Sequence, residues 1–189
     1  MGTRLRFVSA TLVAFLVVTL AWVAPLLPVI RVGYLQAFAK IAGLAQADSY
    51  LTSWMLAWGT HALRTHPLDL YKANIFHPLP WTFAFSENLL AGAALVMPVD
   101  LVFGSPTLDN NVLLIASFVL LGTGTALLLR ELGTGWPAAW LAGALVAFGP
   151  FRFGTIGHVQ SLSNHWLLTR SKRPTGRTNR FPWPRTHPI

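Results

Sequence analysis

Cysteine is absent from the 189 residues, which excludes disulfides, thiolate zinc sites and cysteine nucleophiles. Charge is also scarce. Only 11% of the chain is charged and 53% is hydrophobic, with a mean hydropathy of +0.52. A soluble domain carries about 25% charged residues, so a surface that faces water all round cannot be assembled from this set. That excludes an ordinary soluble enzyme and leaves an integral membrane protein. Acids are the rarest charged type, 6 against 14 Lys and Arg. The excess does not suggest nucleic acid, because six of the cations (Arg170, Lys172, Arg173, Arg177, Arg180, Arg185) fall in the final stretch and the rest of the chain is near balance.

What the chain does have is apolar runs. Phe7 to Ile30 carries no charge and follows Arg4 and Arg6. About 20 such residues cross a bilayer as a helix, and the basic flank predicts a cytoplasmic N-terminus. A signal peptide would have a shorter apolar region, so a retained first helix is expected, bent or ended by Pro25 and Pro28. Three further spans are predicted: Trp81 to Phe103, interrupted by Glu87, Pro98 and Asp100; Val112 to Leu129; and Trp136 to Phe151. Small residues recur in the last two (Gly122, Gly124 and Ala126, then Ala139 and Gly143), a spacing that permits close helix contact in lipid. With four spans and an inner N-terminus, Arg130 falls outside. Asp100 is expected as a solvated helix end.

Between the first two spans, Leu51, Trp54, Met55, Trp58 and Ala62 share one helical face. Tyr50, Trp54 and Trp58 suit the headgroup level. This predicts a helix along the membrane interface, with Asp48 and Ser49 as cap candidates, and then a loop from Thr65 to Pro80. The fold class expected is therefore all-α, polytopic, with about four spans and an interfacial helix in the first external loop. Residues 1–168 form that transmembrane region. Residues 169–189 hold four prolines, six cations and no acid, and are expected to be disordered.

Three segments carry the candidate chemistry: Asp48 through the Trp-rich run to His61, Tyr71-Lys-Ala-Asn-Ile-Phe-His-Pro78, and Phe83-Ala-Phe-Ser-Glu-Asn88. With Gly149-Pro150-Phe151-Arg152 and Gly157-His158-Val159-Gln160, they resemble the polytopic membrane glycosyltransferases of the GT-C superfamily, and more narrowly a bacterial group within it. The resemblance covers about residues 1–168. It implies transfer of a sugar from a polyprenyl-phosphate donor to an acceptor on the outer face of a bacterial plasma membrane. The acid of the first external loop acts as general base in that superfamily, and Asp48 matches it by position.

A carboxylate at a partly apolar boundary suits the role of base, although a capping Asp48 is the plainer alternative. Glu87 is the second acid considered, because an acid inside a membrane segment is costly. Asn74 and His77 could position a sugar or phosphate, and Arg152, His158 and Gln160 follow the fourth span. An arginine there could hold a lipid phosphate, or simply mark a positive inner flank. His61, His66 and His77 lack metal-ligand spacing, so no metal is assigned. A divalent cation is compatible with the resemblance, but no spacing indicates one.

Members of the resembled group continue with further apolar helices where this chain turns into its basic tail. That departure leads to the expectation of a truncated or frameshifted fragment without activity of its own. The rival function is a non-enzymatic membrane subunit or lipid-binding scaffold. A small transporter would need a polar path, and Val112 to Leu129 offers little toward one.

Overall fold

A computed structural model describes residues 2–35, 44–85 and 87–162. The described residues form helices and connecting loops, with no strand among them. Helix α1 (Gly2–Trp22) runs into a 3-10 turn (Ala24–Val29) that contains Pro25 and Pro28. The α-helix ends where those prolines withdraw backbone donors. Helix α2 (Leu44–Thr65) follows, then a long loop with a second 3-10 turn (Thr82–Phe85). Next come α3 (Leu90–Phe103), α4 (Pro106–Glu131) and α5 (Trp136–Ala147). Two short helices, α6 (Pro150–Gly154) and α7 (Val159–Leu162), close the described chain.

Helix α4 is the axis of the assembly. Its start is well specified: Ser105 accepts a hydrogen bond from the Leu108 amide, and Pro106 occupies the first turn, where no intrahelical donor is needed. Helix α1 lies antiparallel to it, since Phe7 sits by Arg130, Phe15 by Gly122 and Trp22 by Phe118. The turn after α1 then caps the other end of α4: Asn111 Nδ2 donates to the carbonyls of Ile30 and Gly33, both at 2.8 Å. Helix α5 returns along α4, and a Cβ on Gly143 would lie 2.6 Å from the Gly122 carbonyl oxygen. The small residues thus bring two backbones into contact.

Two apolar clusters result. One joins Phe15, Val119, Ala126 and Ala139 from α1, α4 and α5. The other gathers Met55, Leu56, Val96, Leu113, Phe118 and Leu162 from α2, α3, α4 and α7.

Two helices, Leu5–Trp22 and Pro106–Glu131, are long and apolar enough to cross a membrane; Leu90–Phe103 is a shorter apolar helix. Helix α5 has 12 residues, about 18 Å at 1.5 Å per residue.

Several expectations change. The expected span from Trp81 becomes an α-helix only at Leu90, because Thr82–Phe85 form a 3-10 turn and residues 87–89 are loop. Helix α4 starts before Val112 and includes Asp109, Asn110 and Asn111, because these polar side chains meet partners or neighbours on other elements. Asp48 lies inside α2, which begins at Leu44, so it is not the cap. Arg130 stands 5.6 Å over the Phe7 ring, at the same end as the N-terminus rather than the opposite one. Asp100 is no solvated terminus: its side chain is 15% exposed and lies 3.8 Å from Arg64. The tail 169–189 lies outside the described residues.

Candidate functional site

Helix α2 positions the first candidate acid. Most of this helix is packed rather than laid on a surface: Ser49, Thr52, Ser53, Met55, Leu56, Thr60 and Ala62 are buried. Polar contacts tie it to α4. Thr52 Oγ1 donates to Asn110 Oδ1 at 2.9 Å, and the Tyr34 hydroxyl shares 3.0 Å hydrogen bonds with both Ser53 and Thr107. Trp54 and Trp58 point toward the following loop. Trp54 packs edge-on against Phe83, and Trp58 Nε1 donates to the Leu70 carbonyl at 3.3 Å. Their work is to hold that loop to the helix.

With α2 anchored, Asp48 projects from its first half, partly open to solvent. Its Oδ2 lies 3.5 Å from His158 Nε2, with the two side chains 37% and 44% exposed. His158 belongs to the turn between α6 and α7, so two motifs far apart in sequence meet here. Four of the polar residues considered lie elsewhere or beyond description. Asn74, His77 and Glu87 are exposed on the loop between α2 and α3, and the Gln160 side chain falls outside the described residues.

Arg152 stands behind His158 and is 5% exposed. Nη1 donates to the Leu162 carbonyl at 3.1 Å and Nη2 to Ser117 Oγ at 2.9 Å. The guanidinium carbon sits 4.4 Å from the Phe118 ring centroid, a cation–π contact in a dry setting. Burial lowers its pKa to about 10, which leaves it charged at neutral pH. This residue is neither an exposed inner flank nor open to a ligand. It clamps α7 onto α4 and thereby fixes the turn that carries His158.

A polar feature that the sequence reading passed over lies at the start of α4. Asp109 is 0% exposed, and no N–H or hydroxyl donor among the described residues meets either carboxyl oxygen, although the Asp100 carboxyl is within hydrogen-bonding reach. Asp100 of α3 is its carboxyl neighbour. The signal was present: an acid beside Asn110-Asn111 directly ahead of an apolar run. Starting the helix at Val112 placed it in a loop, where an aspartate attracts no notice. No group of three or more His, Asp or Glu suited to a metal occurs among the described residues.

No protein-family model, curated protein or solved structure matches the chain.

Proposed function

We propose that the chain is an integral membrane protein that contributes the Asp48–His158 pair to glycosyl transfer from a polyprenyl-phosphate donor, a reaction that also needs the further apolar helices of the resembled group. The observation that carries this reading is the 3.5 Å approach of Asp48 Oδ2 to His158 Nε2. It joins the acid of the first external loop to the Gly157-His158 motif, two of the segments on which the GT-C resemblance rests. In this reading α1 and α4 cross the bilayer, while α3 and α5 pack along α4 as shorter membrane helices.

Asp48 accepts the proton of an acceptor hydroxyl as its oxygen bonds to the anomeric carbon. The bond from that carbon to the phosphate oxygen breaks, and the lipid phosphate leaves with the electron pair. His158 orients the carboxylate and Arg152 holds the His158 turn in place. Asn74, His77 and Glu87 sit apart from this pair, on the loop between α2 and α3, and take no step in it.

The test is Asp48→Asn in a protein that carries this segment together with those further helices, reconstituted with a radiolabelled polyprenyl-phosphate sugar. Transfer should fall by about two to four orders of magnitude, the range expected on losing a general base, with insertion unchanged. Transfer at the wild-type rate would remove Asp48 from the chemistry.

A second reading, a non-enzymatic subunit, is favoured by the bareness of α1, whose apolar window is only 17% buried within the chain. A scaffold of this kind would tolerate Asp48→Asn and fail when Trp58→Ala frees the loop. An enzyme would show the opposite order.

A further inference from the structure

The loop between α2 and α3 exposes several large apolar side chains although it is firmly held on the inside. Its inner side is fully engaged. Trp58 Nε1 donates to the Leu70 carbonyl, the Phe83 amide donates to the Tyr71 carbonyl at 3.1 Å, and Thr82 Oγ1 donates to the Ala73 carbonyl at 3.3 Å. Phe83 is 2% exposed. Beside the exposed polar Asn74, His77 and Glu87, large apolar side chains also face outward: Leu68 is 96% exposed, Phe76 64%, Leu79 56%, Trp81 49% and Phe85 62%.

Two of these are turned outward at a backbone cost. Phe76 and Trp81 have φ values of 56° and 61°, in the left-handed region that bulky residues avoid. The Lys72 ammonium lies 5.7 Å from the Trp81 ring centroid. That ammonium is paired with Asp69 Oδ1 at 2.8 Å, so it is the Leu, Phe and Trp side chains that suit the boundary between headgroups and acyl chains, where such rings enter the apolar layer. Water alone gives such a surface no compensation for its exposed apolar area.

We propose that this loop, rather than α2, is the interfacial element of the protein, and that Phe76, Leu79 and Trp81 insert into the headgroup boundary of a lipid leaflet. The occupant is a lipid surface. The proposal rests on the membrane reading above and is independent of any catalysis at Asp48.

The absence of cysteine permits a direct test. A single cysteine at Phe76→Cys, labelled with nitrobenzoxadiazole, is placed in the full chain in phosphatidylcholine–phosphatidylglycerol vesicles. Leu79→Cys is made in parallel in case the first variant does not fold. Leu16→Cys on the exposed face of α1, 41% exposed in the wild-type chain, reports on the bilayer interior.

The loop label should shift to shorter wavelength and lose about half its emission to lipids spin-labelled near the headgroup, with little loss to aqueous iodide. Quenching by iodide alone would put the loop in water and overturn the proposal. Protection from both quenchers would mean that protein, a second copy or another chain, covers the loop, and would overturn it equally. The α1 label separates the two levels. If Leu16→Cys is quenched by lipids spin-labelled near the chain end and the loop label is not quenched by lipid, only the loop proposal fails. If neither label is quenched by lipid, the membrane reading fails with it.

Discussion

Arg152 shows how one side chain can hold a site without touching what the site binds. Its two side-chain hydrogen bonds reach the last turn of the described chain and the middle of α4, and His158 lies on the turn between Arg152 and Leu162. Hydrogen bonds to a charged group contribute about 1.5–3 kcal/mol each. Desolvation of the guanidinium offsets part of that, because a buried charge can be replaced by an apolar group of similar volume at small cost. The order of two variants therefore separates the terms. Arg152→Ala removes the bonds and leaves a cavity, and should cost about 3 kcal/mol in detergent unfolding. Arg152→Met fills the space and should cost distinctly less. If Met proved as harmful as Ala, filling the space would not matter and the hydrogen bonds would carry the whole effect.

How a residue such as Arg152 escapes a sequence reading is physical. Burial of its guanidinium depends on Ser117 and Leu162, which no local pattern connects to it. Asp48 and His158 were each legible as polar residues flanking apolar helices, but their 3.5 Å approach exists only once α2 and α7 pack together.

The elements were legible in proportion to how far their own sequence determines them. The first helix and the core of α4 follow from uncharged length, and the stop near Pro25 follows from proline chemistry. The span expected from Trp81 was misjudged because a folded loop can be as apolar as a helix, and hydropathy does not tell them apart. The small residues were the clearest tertiary signal. At Gly143 an added Cβ would meet backbone, the Gly122 carbonyl oxygen at 2.6 Å, and the Phe15 ring at 2.9 Å. Backbone cannot rotate aside, so Gly143→Ala should destabilise by about 1–3 kcal/mol. Gly154→Ala is the control: nothing lies within 4 Å of its added Cβ. Thermal unfolding of both in the same detergent checks the contrast, and equal midpoints would show that α4 and α5 do not meet as closely as this.

At the scale of the whole molecule, the antiparallel pair α1–α4 sets which ends lie together. Four consecutive spans would put Arg130 across the membrane from the N-terminus. The contacts instead place Phe7 beside Arg130, and Ile30 and Gly33 beside Asn111. Arg6 and Arg130 therefore share one end, while Arg64 and Lys72, on the α2 side, each lie within 4 Å of an aspartate. Arg31 stands at the other end, over the Phe103 ring, so the basic residues do not choose between the ends; in the proposed reading the turn after α4 is cytoplasmic and the segment after α1 external. The 26 residues of α4 extend about 39 Å at 1.5 Å per residue, enough to separate those ends by a full bilayer. Val32 and Leu132 are 80% and 66% exposed, and each can carry the only cysteine. In intact cells a membrane-impermeant maleimide should modify Val32→Cys, and should reach Leu132→Cys only after permeabilisation. The reverse pattern would keep the fold and invert its orientation, which would move Asp48 to the inner face and remove the external acceptor from the proposed reaction. Modification of both in intact cells would mean that α4 does not cross at all, and the membrane reading would lose its central helix.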